Sequence, residues 1–352
     1  MGSLEGKRIT LADIAAATDV SKMTVSLAMR NHPRISKKTR LLVQQKAKEL
    51  GYSPDPMLSA LVNYRHAQQP HSTQSALAWI NPFRDPKRQH LFTEYELYFK
   101  GASDCAAQYG YRLEEFATAE IALPRLNTIF KTRSIKGILI APLPAPKFRD
   151  PDLDWYNFPW KDFATISFGR SRIHPETHFA SSAQARNTII AFENIRAKGY
   201  RRIGFIGQYN PRRVFCMGAY FEQLKLQKTK QIAPLLFMLE DSEDKRRKMI
   251  DQWLKKNQPE AILTDTSELV QILSELGIHV PNNIGLATTS ISDTSIDSGI
   301  DQNPEEIGRS AARMLTSLIH EQNFGIPSIR SEILVEGKWI NGSTLPNRNG
   351  HL

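Results

Sequence analysis

ITLADIAAATDVSKMTVSLAMRNHPRISKKTRLLVQQKAKELGYSPDP, residues 9–56, decides how the rest of the chain is read. Thr10 is suited to cap a helix through LADIAAAT, in which Leu11, Ile14 and Ala15 fall on one stripe. The stripe stops at Thr18-Asp19, and Ser21 is suited to cap a second helix through KMTVSLAM. Val20, Val25 and Ala28 would face the first helix. Two short helices about three residues apart form a helix-turn-helix, whose second helix enters a DNA major groove. A third helix is expected from Lys37 to Leu50, capped by Ser36, with Leu42, Val43, Ala47 and Leu50 inward and Gly51 ending it in the left-handed conformation.

Charge agrees with this reading. The 352 residues carry a formal net charge of +10. Between Met1 and His66 stand 11 Lys and Arg against 5 acids, so +6 of that excess lies in under a fifth of the chain. Such clustering suits a module that neutralises phosphates. Thr10, Ser21, Thr24, Ser26 and Asn31 are candidates to hold phosphates and fix register. Lys22, Met23 and, one turn later, Leu27 are candidates to reach base edges. Each hydroxyl taken singly reads more readily as a helix cap or an exposed residue; their ordered spacing favours DNA.

This stretch resembles the head of the LacI family of bacterial repressors. The matching pieces are TLADIA, VSKMTVS, RISKKTR and AKELGYSP. Two positions depart from the family pattern. Asp19 stands in the turn where the family usually has Gly, and Leu27 stands where it commonly has a guanine-reading Arg. A thymine methyl is the contact left to Leu27. After Tyr52, DPMLSALVNYRH and the polar run AQQPHSTQS read as a short helix and a linker. The resemblance implies a hinge helix that folds as a pair on DNA, with Leu61 as the minor-groove wedge and Leu58 against the partner copy. An ordinary helix packed on the body is the alternative.

From Ala76 onward strands and helices alternate. Strands are expected at 76–80, 111–116, 137–141, 163–168, 202–207, 235–239, 261–264 and 284–288, and a returning strand within IRSEILVEG. Helices are expected at 93–109, 121–132, 182–198, 213–227, 244–256, 267–276 and 305–322. Two rounds of βαβ argue for an α/β body of two Rossmann-like lobes with a ligand cleft at the carboxyl ends of the strands. The blocks AFENIRAKGYRRIGFIG, LGIHVPNNIGLAT and DQNPEEIGRSAARMLTSLI extend the resemblance to the family's periplasmic-binding-protein-like body, in which the chain crosses between lobes three times. The expected division is 1–52 as a small all-α head, 53–75 as hinge and linker, 76–340 as the body and 341–352 as a tail.

The effector pocket departs from the family more than the head does. Phe215 replaces the family's Arg in RVFCMG, Asp265 is the nearest match to its Asn-Asp pair, and Ser290 stands where an acid is expected. Asn81, Phe83, Arg84, Phe168, Phe215, Asp265 and Ser290 are the candidates to line the cleft. Each reads equally as a loop or core residue, and Phe at a strand end is usually core.

Other classes find less support. No GxSxG, GxxxxGK[ST], HExxH or Cys cluster is present, so catalysis, a metal site and a cofactor are not expected. No apolar run reaches the ~20 residues of a membrane span, and the first residues lack a secretory core. With two distant cysteines, Cys105 and Cys216, the cytoplasm is the expected compartment. The sequence thus reads as a homodimeric transcription regulator, most simply a repressor. Its expected partners are a near-palindromic double-stranded operator and a small-molecule effector, with a sugar or sugar derivative among the candidates. An effector-independent DNA binder and a pure ligand-binding protein are the alternatives.

Overall fold

The computed structural model describes residues 9–29, 35–52, 75–143, 148–149, 155–169, 175–210, 214–238 and 240–349. In the head, α1 (Leu11–Thr18), α2 (Lys22–Met29) and α3 (Lys37–Glu49) pack around Ile14, Val25, Ala28, Val43 and Ala47. That core has only three large aliphatic side chains, each worth about 1.5–3 kcal/mol when buried. Caps worth about 1 kcal/mol each are therefore a material share of its stability. All three expected caps form. Thr10 and Asp13 make a reciprocal capping box, the Thr24 amide donates to Ser21 Oγ at 3.0 Å, and the Thr39 amide donates to Ser36 Oγ at 3.1 Å. Asp19 adopts the left-handed turn conformation at φ 50°, where its short polar side chain tolerates what most residues do not. Leu42 was expected inward but is 52% exposed, because the core-facing stripe of α3 runs through Val43 and Ala47.

The body holds two six-stranded sheets. Lobe 1 has the order β2-β1-β3-β4-β5-β11, built from β1 (Ser75–Asn81), β2 (Tyr111–Ala117), β3 (Gly137–Ile140), β4 (Ala164–Phe168), β5 (His178–Ser182) and β11 (Glu332–Val335), all parallel. Lobe 2 repeats the order as β7-β6-β8-β9-β10-β12, from β6 (Ile203–Gln208), β7 (Leu235–Phe237), β8 (Ala261–Thr264), β9 (Gly285–Thr288), β10 (Gly299–Asp301) and β12 (Lys338–Ile340); only β12 runs antiparallel. Each sheet reverses its order beside its first strand, which opens a crevice at the carboxyl ends there. In lobe 1, α4 (Thr93–Gln108) and α5 (Leu123–Thr132) flank the sheet; in lobe 2, α6 (Gln184–Ala197), α7 (Phe215–Leu224), α8 (Glu243–Asn257) and α9 (Leu269–Glu275) do so.

The long amphipathic α10 (Pro304–His320) follows β10 of lobe 2 yet packs on α4 of lobe 1. Its Ile307, Ala311 and Leu315 complete a core with Trp79, Ala102 and Cys105. The two helices meet at Gly101 and Gly308: a Cβ on Gly308 would lie 2.1 Å from the Tyr98 carbonyl oxygen, so glycine is required for the approach. The chain therefore crosses between the lobes after Ser182, after Asp301 and after Val335.

Most expected elements are present, with ends moved by a few residues. The expected 182–198 helix starts at Gln184 because Ser182 closes β5, and the expected 213–227 helix runs only from Phe215 to Leu224. Strands β5, β10 and β12 were not anticipated. The segment expected as a tail continues the packing of lobe 2, since Leu345 is fully buried in its core.

Candidate nucleic-acid interface and effector cleft

The second helix of the head presents its first turn outward. Lys22 is exposed and Met23 is 73% exposed, while Val25 and Ala28 on the opposite face are fully buried. Thr24, Ser26 and Leu27 are half-buried. Capping engages three of the candidate hydroxyls locally. Thr10 Oγ1 donates to Asp13 Oδ2 at 2.7 Å, and Ser21 Oγ lies 2.8 Å from Thr24 Oγ1. A second anchor fixes α2, since Gln44 Nε2 of α3 donates to the Ala28 carbonyl at 3.2 Å. Lys37 and Lys38 are exposed at the first turn of α3. Asn31, Leu58 and Leu61 lie outside the described residues.

The candidates for lining an effector cleft divide by environment. Asn81 ends β1 fully buried, with every polar atom engaged. Its Nδ2 donates to the Pro86 carbonyl at 3.1 Å and to Glu115 Oε1 at 2.6 Å, and its Oδ1 accepts the Phe83 amide at 3.1 Å. It braces the loop from residue 82 to 92. His90 of that loop sits between Glu96, 2.5 Å away, and Glu115, 3.5 Å away. Burial alone would lower the His90 pKa; the two carboxylates outweigh it and raise it. Phe83 is buried against Phe92 and Tyr95, and Phe168 is buried between Trp79 and Tyr98. Phe215 is buried in the lobe 2 core. Arg84 is exposed.

Asp265 and Ser290 occupy matching places just past β8 and β9. Asp265 Oδ1 accepts the Gln208 amide at 2.9 Å, linking the ends of β8 and β6. Ser290 is held by Thr288, whose Oγ1 donates to its carbonyl at 2.9 Å and accepts its amide at 3.3 Å. Thr264 makes the same pattern with Thr266. These turns fix the chain just past the carboxyl ends of β8 and β9. Asp265, Ser290 and Arg84 thus stand as polar groups at strand ends or in the loop beyond, whereas the three Phe are packed in cores. Sequence reasoning missed Thr93 and Asp293, which meet across the lobes, and the hinge residues Asn187, Asn303 and Gly337. No local signal marks them; their partners lie more than 30 residues away. Among the described residues, no helix is long and apolar enough to cross a membrane, and no group of His, Cys, Asp and Glu is placed to hold a metal ion.

The head is a helix-turn-helix, and two doubly wound lobes joined by three crossovers form a periplasmic-binding-protein-like body. Residues 10–55 match the model of bacterial regulatory proteins of the lacI family, and residues 192–344 match that of a periplasmic binding protein-like domain. The chain belongs to the lacI family of bacterial regulatory proteins. None of the curated proteins matches it. Among solved structures, the transcriptional regulator CelR-cellobiose complex is 17% identical with a TM-score of 0.52, covering 96% of this chain and 100% of that one. A transcription regulator like protein from Staphylococcus haemolyticus is 14% identical with a TM-score of 0.52, covering 78% of this chain and 100% of that one. A periplasmic binding ribose operon repressor protein from Lactobacillus acidophilus is 16% identical with a TM-score of 0.50, covering 78% and 99%. At these identities they speak to the fold.

Proposed function

We propose that the chain is a homodimeric, cytoplasmic repressor that binds a near-palindromic operator and is controlled by a small molecule in the cleft between its lobes. The observation that carries this reading is the head. A capped second helix presents Lys22 and Met23 to solvent while its other face is locked into a three-helix core. That is the arrangement needed to lay one helix in a major groove. Two copies related by a two-fold axis place two such helices on half-sites about one helical turn, or a multiple of it, apart. The half-buried Leu27 reads a thymine methyl where an Arg would read guanine. The segment from 53 to 75 serves as the hinge, with Leu61 as wedge and Leu58 at the pairing seam.

The body senses rather than catalyses. Arg84, Asp265 and Ser290 supply the polar groups a ligand meets at the rim. The pocket lacks an Arg at Phe215, so sugar hydroxyls have fewer partners than the family pattern provides. Carbohydrates, cellobiose included because the CelR structure contains it, are the first probes. Fluorescence anisotropy on an operator duplex, with and without a panel of sugars and sugar derivatives, tests the reading. A ligand that shifts operator affinity supports effector control. Affinity unmoved by any ligand points to an effector-independent binder instead.

A further inference from the structure

The loop after β9 reaches from lobe 2 to lobe 1. Asp293 Oδ2 accepts the Thr93 backbone N–H at 3.0 Å, and Asp293 Oδ1 accepts the Thr93 hydroxyl at 2.6 Å. Thr93 is the first residue of α4, and the residue before it, Phe92, offers no capping side chain. The first amides of a helix have no partner within it, and the helix dipole favours an anion there. The cap that α4 lacks in its own lobe is supplied by the other lobe.

Both ends of this contact are pre-positioned. Asp293 sits in the left-handed conformation at φ 56°, followed by the Thr294 hydroxyl that accepts the Ile296 amide at 3.2 Å. Thr93 follows the loop that Asn81 and the His90–Glu96 pair hold in place. The contact also lies close in sequence to a candidate ligand-lining residue, since Ser290 precedes Asp293 by three positions on the same loop. The three crossovers join the lobes elsewhere, at residues 183, 302–303 and 336–337.

We propose that Asp293 is an interlobe latch that biases the two lobes towards the closed form by capping α4. Opening the lobes breaks both hydrogen bonds together and leaves the amide of Thr93 to water. The latch is solvent-exposed, so it biases the equilibrium rather than locking it. A ligand that fits the closed form inherits this bias, and one that fits the open form must overcome it. That regulatory consequence rests on the effector-sensing reading above; the latch itself does not.

The test uses the full chain without added ligand. Arg125→Cys on α5 and Lys256→Cys on α8, both exposed sites, carry spin labels in a Cys105→Ala, Cys216→Ala background diluted with unlabelled chain. Pulsed electron–electron distance measurements then read the open-to-closed ratio. Asp293→Ala raises that ratio about tenfold, the effect of a lost charge-assisted contact. Thr93→Val raises it by less, and Thr93→Ser leaves it unchanged. An Asp293→Ala distance distribution that superimposes on the parent overturns the latch. Because no DNA enters this measurement, failure of the parent to select an operator would strike the regulator reading alone.

Discussion

The backbone N–H of Gly337 donates to Oδ1 of the fully buried Asn187 at 2.7 Å, tying the third lobe crossover to the first turn of α6. Asn303, at the second crossover, donates from Nδ2 to the Glu336 carbonyl at 2.7 Å. A Cβ on Gly337 would lie 2.4 Å from Ile300 Cγ2 and 2.7 Å from the Asp301 carbonyl oxygen. Gly337→Ala should therefore destabilise the protein by about 1–3 kcal/mol, the usual cost of overpacking. Denaturant unfolding measures it. A loss below about 0.5 kcal/mol, the scatter of neutral surface changes, would show that the crossover is loose.

Asp297 anchors the end of lobe 2. Its carboxylate accepts the amides and hydroxyls of Ser343 and Thr344 at 2.7–2.9 Å. Burial works to raise its pKa, but the four donors outweigh it and hold the carboxyl far below the usual range. A depressed folded pKa gives stability that is complete above the unfolded value of about 3.9 and is lost as pH falls below it. The melting-temperature advantage of the native chain over Asp297→Asn should thus be largest near pH 6 and shrink at pH 3. A gap that stays constant over that range contradicts the assignment.

Lys37 and Lys38 stand exposed at the start of α3. If they meet phosphates, Lys37→Ala or Lys38→Ala should weaken binding to all duplexes alike. Each should flatten the log–log salt dependence by about one unit, the counterion release of one phosphate contact. An unchanged slope assigns them to solvent.

Leu61→Ala tests the hinge. Removing a minor-groove wedge should reduce operator binding far more than binding to random duplex, because only the operator complex is kinked. Equal losses on both would place Leu61 in ordinary packing.

The head was legible because its signals are local. Thr10, Ser21 and Ser36 cap within three residues of themselves, and Asp19 makes its turn unaided. Leu42 misled because two adjacent leucines and a valine all fit a loosely drawn stripe, and only packing against α1 and α2 chooses among them. The sheets were legible from apolar runs such as GILI and AILT. HFASS and the three-residue GID and KWI carry too little apolar periodicity to announce strands. The cleft was least legible. Asn81 is explained by Glu115, 34 residues on, and Thr93 by Asp293, 200 residues on. No spacing rule reaches so far.

Selection of bound duplexes from a random DNA pool by the purified full-length chain tests the central claim most directly. The account predicts enrichment of a near-palindrome with two half-sites, abolished when residues 1–66 are deleted. Recovery of no preferred sequence at moderate salt, or the same sequence with the deleted chain, would contradict it.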